Sequence, residues 1–221
     1  MKNSGRFADL GEKIQWYISL FVRGAIGIIF ITSLYEGKIF LGFASATVLL
    51  ASFLPAMIMR RVRLILPNEI GFFFLLFLFA SLILGEMRDY YARFLWWDIM
   101  LHFLSAMMIG IIGFMIIYSL YVTHKVFFAP VFAAIFTFSF SLGLGAFWEI
   151  VEFTLDSSLG FHMQQLSLGD TMWDIIVDAL GSLLVSLIGY AYLRGGSSLL
   201  MDRLVKRFVQ MNKERFETQE R

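Results

Sequence analysis

The chain has 221 residues, of which 59% are hydrophobic and only 16% are charged, and its mean hydropathy is +0.75. A soluble domain usually carries about 25% charged residues, so a water-soluble fold of this length could not bury so much apolar surface, and we expect a membrane protein. The net charge of +1 gives no reason to expect nucleic acid as a partner, and the absence of cysteine excludes disulfides, thiolate metal sites and cysteine nucleophiles.

Six apolar stretches are long enough, or nearly long enough, to cross the hydrocarbon core as helices, which takes about 20 residues each. In chain order they cover residues 14–35, 39–59, 69–85, 97–122, 126–155 and 170–193. Their apolar runs are continuous rather than alternating, which excludes a membrane β-barrel. The sequence therefore predicts an all-α, polytopic transmembrane helix bundle that forms one domain over residues 1–193. The charged tail, residues 194–221, is predicted to form an amphipathic cytoplasmic helix.

The orientation follows from the Lys and Arg residues between the spans, because these accumulate in cytoplasmic loops. With the N-terminus inside, 14 of the 18 basic residues lie in inner segments and 3 in outer segments, while Arg23 lies within the first span. The sequence thus predicts that both termini are cytoplasmic. The stretch from Ile14 is longer than the apolar part of a signal peptide, so we expect it to be retained as the first span. We expect Arg23 to pair with an acidic residue of another span.

Ionisable side chains in the last three spans form one stripe per helix, because residues three or four apart share a helix face. Such residues are costly in lipid and usually face other helices or a water-filled cavity. The stripes are Asp98 and His102 in the fourth span, Glu149 and Glu152 in the fifth, and Asp170, Asp174 and Asp178 in the sixth. The orientation places all three in the outer half of the membrane. Small residues on the same faces favour close packing, so we expect the stripes to converge.

Several carboxylates with one imidazole suit a divalent metal ion, which would also offset the negative charge that they bury. The predicted metal ligands are His102, Glu149, Asp174 and Asp178. The identity of the metal stays open between Mg²⁺, Ca²⁺, Mn²⁺, Zn²⁺ and Fe²⁺. Asp98 and Glu152 are the candidates for a catalytic base. Simpler roles are a solvated or helix-capping position for Asp98 and Asp170, and a hydrogen-bonded packing position for His102.

Three motifs in the last three spans carry a family resemblance. They read Trp97-Asp98-x-x-x-His102, Trp148-Glu149-x-x-Glu152 and Asp170-Thr171-x-x-Asp174-x-x-x-Asp178-x-x-Gly181. Their order and spacing resemble the YjdF-like inner-membrane proteins, a family of uncharacterised bacterial membrane-spanning proteins. More distantly they are similar to VanZ-like proteins, which share an early Asp/His pair and an acidic last helix. The resemblance covers roughly the second half of the chain, and it implies a multi-pass protein of the bacterial inner membrane with no assigned reaction.

Three kinds of function fit these residues, and the sequence alone leaves open whether the protein is an enzyme. The favoured one is a metal-dependent enzyme that acts on a lipid-like substrate of the cell envelope, with membrane lipid and that small molecule as partners. The second is a proton- or cation-coupled transporter, although the acids occupy one half of the membrane with little polar continuation inward, and no internal repeat is visible. The third is a non-catalytic scaffold in which the cluster fixes helix packing. The oligomeric state is likewise left open.

Overall fold

The structure is a computed structural model. It describes residues 4–53, 57, 65–86, 90–122, 128–159, 168–197 and 199–213. Within these ranges the chain is helical apart from short turns and caps, and it contains no strand. The all-α prediction is therefore confirmed. The chain divides into two compact units, residues 1–93 and residues 94–221.

The helices are numbered in chain order. The first unit contains α1 (Ser4–Tyr35), α2 (Ile39–Ala51), α3 (Asn68–Phe79), which continues as a π-helical segment at Ala80–Glu86, and the short α4 (Tyr90–Arg93). The second unit contains α5 (Trp96–Val122), α6 (Pro130–Leu159), α7 (Leu168–Leu193) and α8 (Leu199–Met211). Gly195 has φ +86° in the turn between α7 and α8, a conformation that side chains other than glycine rarely adopt.

Five of the described helices are long and apolar enough to cross a bilayer. They cover Lys13–Tyr35, Asn68–Gly85, Trp96–Val122, Pro130–Ser158 and Leu168–Leu193. These ranges agree with five of the predicted spans to within about four residues, so the membrane-spanning bundle is confirmed. The fifth predicted span begins later than expected, at Pro130, since proline suits the first position of a helix, where no intrahelical N–H bond is needed.

The second predicted span, residues 39–59, is only partly accounted for. Helix α2 ends at Ala51 and is followed by a turn at Ser52 and Phe53. Apart from Met57, the later residues of this predicted span lie outside the described residues. A helix of 13 residues rises only about 20 Å, which is less than the ~30 Å hydrocarbon core. The described part of α2 is therefore too short to span by itself.

Within the first unit, Arg23 of α1 contacts the turn that follows α2. Its Nε donates a hydrogen bond to Oγ of Ser52 over 3.2 Å, and an Nη donates to the Ser52 carbonyl over 3.1 Å. The guanidinium carbon lies 4.8 Å from the centre of the Phe53 ring. The last carbonyls of a helix lack intrahelical partners and carry partial negative charge. Within the first unit, Arg23 thus contacts a helix end and an aromatic face, and its pairing with an acidic residue stays a prediction.

The second unit is built on close packing of α5, α6 and α7 at small residues. A Cβ added at Gly181 of α7 would lie 2.7 Å from the carbonyl oxygen of Phe103 on α5. The hydroxyl of Ser141 on α6 donates to the carbonyl of Ala106 on α5 over 2.6 Å. Small residues allow such close approach of backbones. The expectation that the acidic faces are also packing faces is therefore confirmed.

Helix α8 is amphipathic, as expected for the tail. Met201, Val205 and Phe208 are almost fully buried on one face, whereas Arg203 and Lys206 are exposed on the other. The buried face joins the hydrophobic core of the second unit, which also contains Phe114 of α5 and Val185 of α7. The described part of the tail is therefore packed against the transmembrane helices, while residues 214–221 lie outside the described residues.

Candidate functional site

His102 of α5 lies at the centre of the acid cluster, in contact with carboxylates from all three long helices of the second unit. Its Nε2 lies 3.8 Å from Oδ1 of Asp98 on the same helix and 3.7 Å from Oε1 of Glu149 on α6. Its other nitrogen, Nδ1, lies 3.4 Å from Oδ1 of Asp178 on α7. The three stripes predicted from the sequence therefore converge on one imidazole.

Asp174 completes the inner part of the cluster. One carboxylate oxygen of Asp174, one of Asp98 and one ring nitrogen of His102 all lie within 4.8 Å of one another. Asp174 is one helical turn above Asp178 on α7, so both carboxylates project from the same face. A single ion of ordinary size could contact ligands from α5 and α7 at this point.

The burial of these side chains separates them from ordinary boundary residues. Asp178 is 1% exposed, Glu149 and Asp174 are each 3% exposed, and His102 is 8% exposed. By contrast, the side chain of Asp98 is 23% exposed. The solvated position suggested for Asp98 therefore agrees with its exposure, whereas the other four side chains are buried.

Glu152 follows Glu149 by three residues on α6 and has a hydrogen-bond partner that the sequence analysis did not identify. Its Oε1 accepts a hydrogen bond from Nε1 of Trp148 over 2.8 Å. The spacing of four between these residues on α6 was the available signal. Glu152 is also within electrostatic range of Glu149, Asp98 and His102. Its carboxylate is therefore oriented by an indole and belongs to the same group of charges.

Asp170 is the outermost member of the α7 stripe. It interacts electrostatically with Asp98 and His102, and it lies in the first turn of α7. An acidic residue at this position also favours the helix N-terminus. Helix α7 begins at Leu168, so Asp170 is the third residue of the helix and not the N-cap that the sequence suggested. Its interactions with Asp98 and His102 make it part of the cluster.

The cluster would carry a large excess of negative charge if all of its carboxylates were ionised. Helices α5, α6 and α7 contain no lysine or arginine, and a single histidine is placed among the carboxylates. Carboxylates that share a low-dielectric site repel one another, so they cannot all stay ionised unless a cation or protons balance them. The arrangement is therefore chemically suited to bind a cation or to hold and exchange protons.

Residues 16–195 match the family described as "Predicted membrane protein (DUF2238)". The chain belongs to this family. The match includes α2 to α7 and every residue of the acid cluster, so the uncharacterised membrane family expected from the motifs is confirmed. The more distant similarity to VanZ-like proteins stays a prediction.

A relative from Thermotoga maritima, described as "Uncharacterized protein", is 30% identical over 133 residues. The aligned region covers 59% of this chain and 62% of the relative, so the chain covers less than two thirds of that protein. No solved structure matches the chain. The family establishes a multi-pass membrane protein, and the roles of the cluster residues must be argued from their geometry.

Proposed function

We propose that the acid cluster binds a divalent metal ion and that this ion serves a membrane enzyme of the cell envelope. The observation that carries the proposal is the position of His102, whose two ring nitrogens lie 3.4–3.8 Å from carboxylates of three different helices. Ligand atoms around a tetrahedral Zn²⁺ with bonds of ~2.1 Å lie roughly 3.4 Å apart. One ligand atom each of Asp98, His102 and Asp174 lies within 4.8 Å of the others, so these side chains would have to move closer together to enclose such an ion, and Glu149 would approach from α6.

The two nitrogens of His102 support different roles for the surrounding acids. Nε2 is the nitrogen that faces Asp98 and Glu149, which makes it the metal-binding atom of this proposal. Nδ1 faces Asp178, and a carboxylate on the second nitrogen commonly orients a metal-bound histidine. This geometry supports Asp98 as a ligand and Asp178 as the residue that orients His102, whereas the sequence suggested Asp98 as a catalytic base and Asp178 as a ligand.

The metal set proposed from this geometry is His102, Asp98, Glu149 and Asp174. Mixed imidazole and carboxylate ligands favour Zn²⁺, Mn²⁺ or Fe²⁺ over Mg²⁺, which prefers oxygen ligands and keeps several waters. A bound ion of this kind polarises a phosphate or carbonyl oxygen and lowers the pKa of bound water. Glu152, held by Trp148 over 2.8 Å, is then the candidate general base.

The substrate class follows from the surroundings of the cluster. On the orientation predicted from the loop charges, the cluster lies in the outer half of the membrane, and α5, α6 and α7 are apolar helices of spanning length. A molecule with an apolar chain would reach this site through the bilayer and present its polar head to the carboxylates. A lipid or lipid-linked precursor of the cell envelope fits this chemistry.

Elemental analysis of the purified full-length protein tests whether the cluster binds a metal ion. We expect about one transition metal ion per chain, consistent with a single closed ligand set, and its loss in His102→Ala and Asp98→Asn. Ser105→Ala is the matched control, because Ser105 is on the same helix and its hydroxyl donates only to the carbonyl of His102. A folded wild-type protein that binds no added metal would contradict the proposal.

Comparison of envelope lipids in a deletion strain and in complemented strains tests whether the protein is an enzyme that acts on a lipid. We expect a lipid to accumulate in the deletion strain, to disappear on complementation with the wild type or Ser105→Ala, and to persist with His102→Ala. Full complementation by His102→Ala would exclude the enzyme. Substrate-dependent cation flux in proteoliposomes, with no change in lipids, would favour the transporter instead.

A further inference from the structure

Two hydroxyl groups below the acid cluster are buried and have no hydrogen-bond partner among the described residues. They are Oγ of Ser182 on α7 and Oγ1 of Thr137 on α6, and both side chains are 0% exposed. Ser182 follows Asp178 by one helical turn on the same face. The polar surface of α7 therefore continues inward beyond the carboxylates, which the sequence interpretation did not anticipate.

Several other serines in the described helices donate their hydroxyls to a carbonyl of their own helix, and Ser141 donates to the Ala106 carbonyl of α5. Representative bonds run from Ser45 to the Leu41 carbonyl, from Ser105 to the His102 carbonyl, and from Ser186 to the Leu183 carbonyl. Such bonds to the preceding turn are the usual arrangement for a hydroxyl without an external partner. Ser182 and Thr137 depart from this pattern at buried positions, so an external partner is to be expected for them.

The register of α6 and α7 places both hydroxyls inward of Asp178. Gly145 of α6 lies directly against the carboxylate of Asp178, and Thr137 is about two helical turns inward of Gly145 on the same helix. At ~1.5 Å per residue, Ser182 lies roughly 6 Å and Thr137 roughly 12 Å inward of the level of Asp178. The two groups therefore form successive steps below the cluster.

We propose that ordered water molecules lie between α6 and α7 beneath Asp178 and bond to the hydroxyls of Ser182 and Thr137. Buried polar groups are nearly always bonded to protein or to ordered water, and an internal water typically makes about three such bonds. The water extends the acid cluster toward the centre of the membrane and gives Asp178 a hydrated neighbour on its inner side. Water binding here requires neither a metal nor an enzymatic reaction.

Radiolytic hydroxyl-radical footprinting of the full-length protein in nanodiscs detects water bound beside buried side chains. We expect rapid oxidation of the α6 and α7 peptides that carry Thr137 and Ser182. This oxidation should be lost in Ser182→Ala and in Thr137→Val, which keeps the side-chain shape. Ser186→Ala is the matched control, because the Ser186 hydroxyl already donates to the Leu183 carbonyl, and it should leave the oxidation unchanged.

Thermal unfolding of the same variants provides a second readout. In a dry interface, removal of an unpaired buried hydroxyl relieves a desolvation penalty and raises Tm. In a hydrated interface the same change removes a hydrogen bond, so Tm stays the same or falls. Loss of oxidation without a rise in Tm supports the bound water. Persistent oxidation in both variants, or a higher Tm in both, overturns it.

Discussion

The carboxylate of Asp178 on α7 fills the space in front of Gly145 on α6. A Cβ built at position 145 would lie 2.8 Å from Cγ of Asp178 and 3.2 Å from its Cβ. The glycine thus lets the carboxylate lie between the helices, where it reaches Nδ1 of His102 over 3.4 Å. Glycine is costly in the interior of a helix, and here it makes room for a buried acid.

Replacement of Gly145 by alanine should displace Asp178 and disturb His102. We expect Gly145→Ala to lower the metal content of the purified protein and to lower Tm, because a well-packed interface has no room for the added methyl group. Gly143→Ala is a matched control on the same helix, since a Cβ at Gly143 meets nothing within 4 Å. That control should be neutral or slightly stabilising. Equal metal content in the two variants would contradict the proposed role of Asp178.

Gly181→Ala tests the packing of α5 against α7. The added Cβ would lie 2.7 Å from the backbone oxygen of Phe103 and 3.0 Å from Cβ of Ala106. A backbone atom cannot rotate away, so the helices must separate, at a cost of about 1–3 kcal/mol. Unfolding in a detergent titration should show this loss relative to Gly143→Ala. An unchanged midpoint would show that the helices are less closely packed than described.

Arg23 should stabilise the first unit through its bonds to Ser52. Lysine cannot form the paired contacts of a guanidinium, so we expect Arg23→Lys to destabilise the protein by up to about 3 kcal/mol, the upper end of the range for a charged hydrogen bond. Oγ of Ser52 is one of the two acceptors. The double variant with Ser52→Ala should therefore lose less than the sum of the single variants. If the two single variants had additive effects on the free energy of unfolding, Arg23 would not stabilise the protein through Ser52.

The predicted orientation can be tested with single cysteines, because the chain has none of its own. Ser157 lies near the end of α6 and Ser197 follows α7, and both are exposed. A membrane-impermeant maleimide applied to spheroplasts should label Ser157→Cys at once. It should label Ser197→Cys only after permeabilisation. The opposite pattern would invert the topology and place the acid cluster near the cytoplasm.

The sequence was sufficient to predict the features that depend on local chain properties. Long apolar runs identified α5, α6 and α7, and the spacing of Asp174 and Asp178 placed them on one face. Helix periodicity is a property of consecutive residues, so no knowledge of contacts was needed. The convergence on His102 followed from the cost of burying charge in lipid.

The remaining features depend on contacts between distant residues. These features could be predicted only if the rotation of each helix relative to its neighbours were known. They are the partner of Arg23, the packing of α8 and the contacts of Asp98 and Asp178 with opposite nitrogens of His102. A rotation of one residue is about 100°, and the sequence does not specify it. The unpartnered hydroxyl of Ser182 likewise depends on its rotamer, which one sequence cannot reveal.

The convergence of three helices on one imidazole has a consequence for the evolution of this family. Insertion of a single residue into α5 between His102 and Gly110 would rotate the N-terminal part of that helix, which carries His102, by about 100° relative to the rest. His102 would then face away from Asp178, even though no site residue had been replaced. Relatives that keep the site should therefore vary in length only between their helices, and an alignment gap inside α5, α6 or α7 should coincide with loss of the acidic residues.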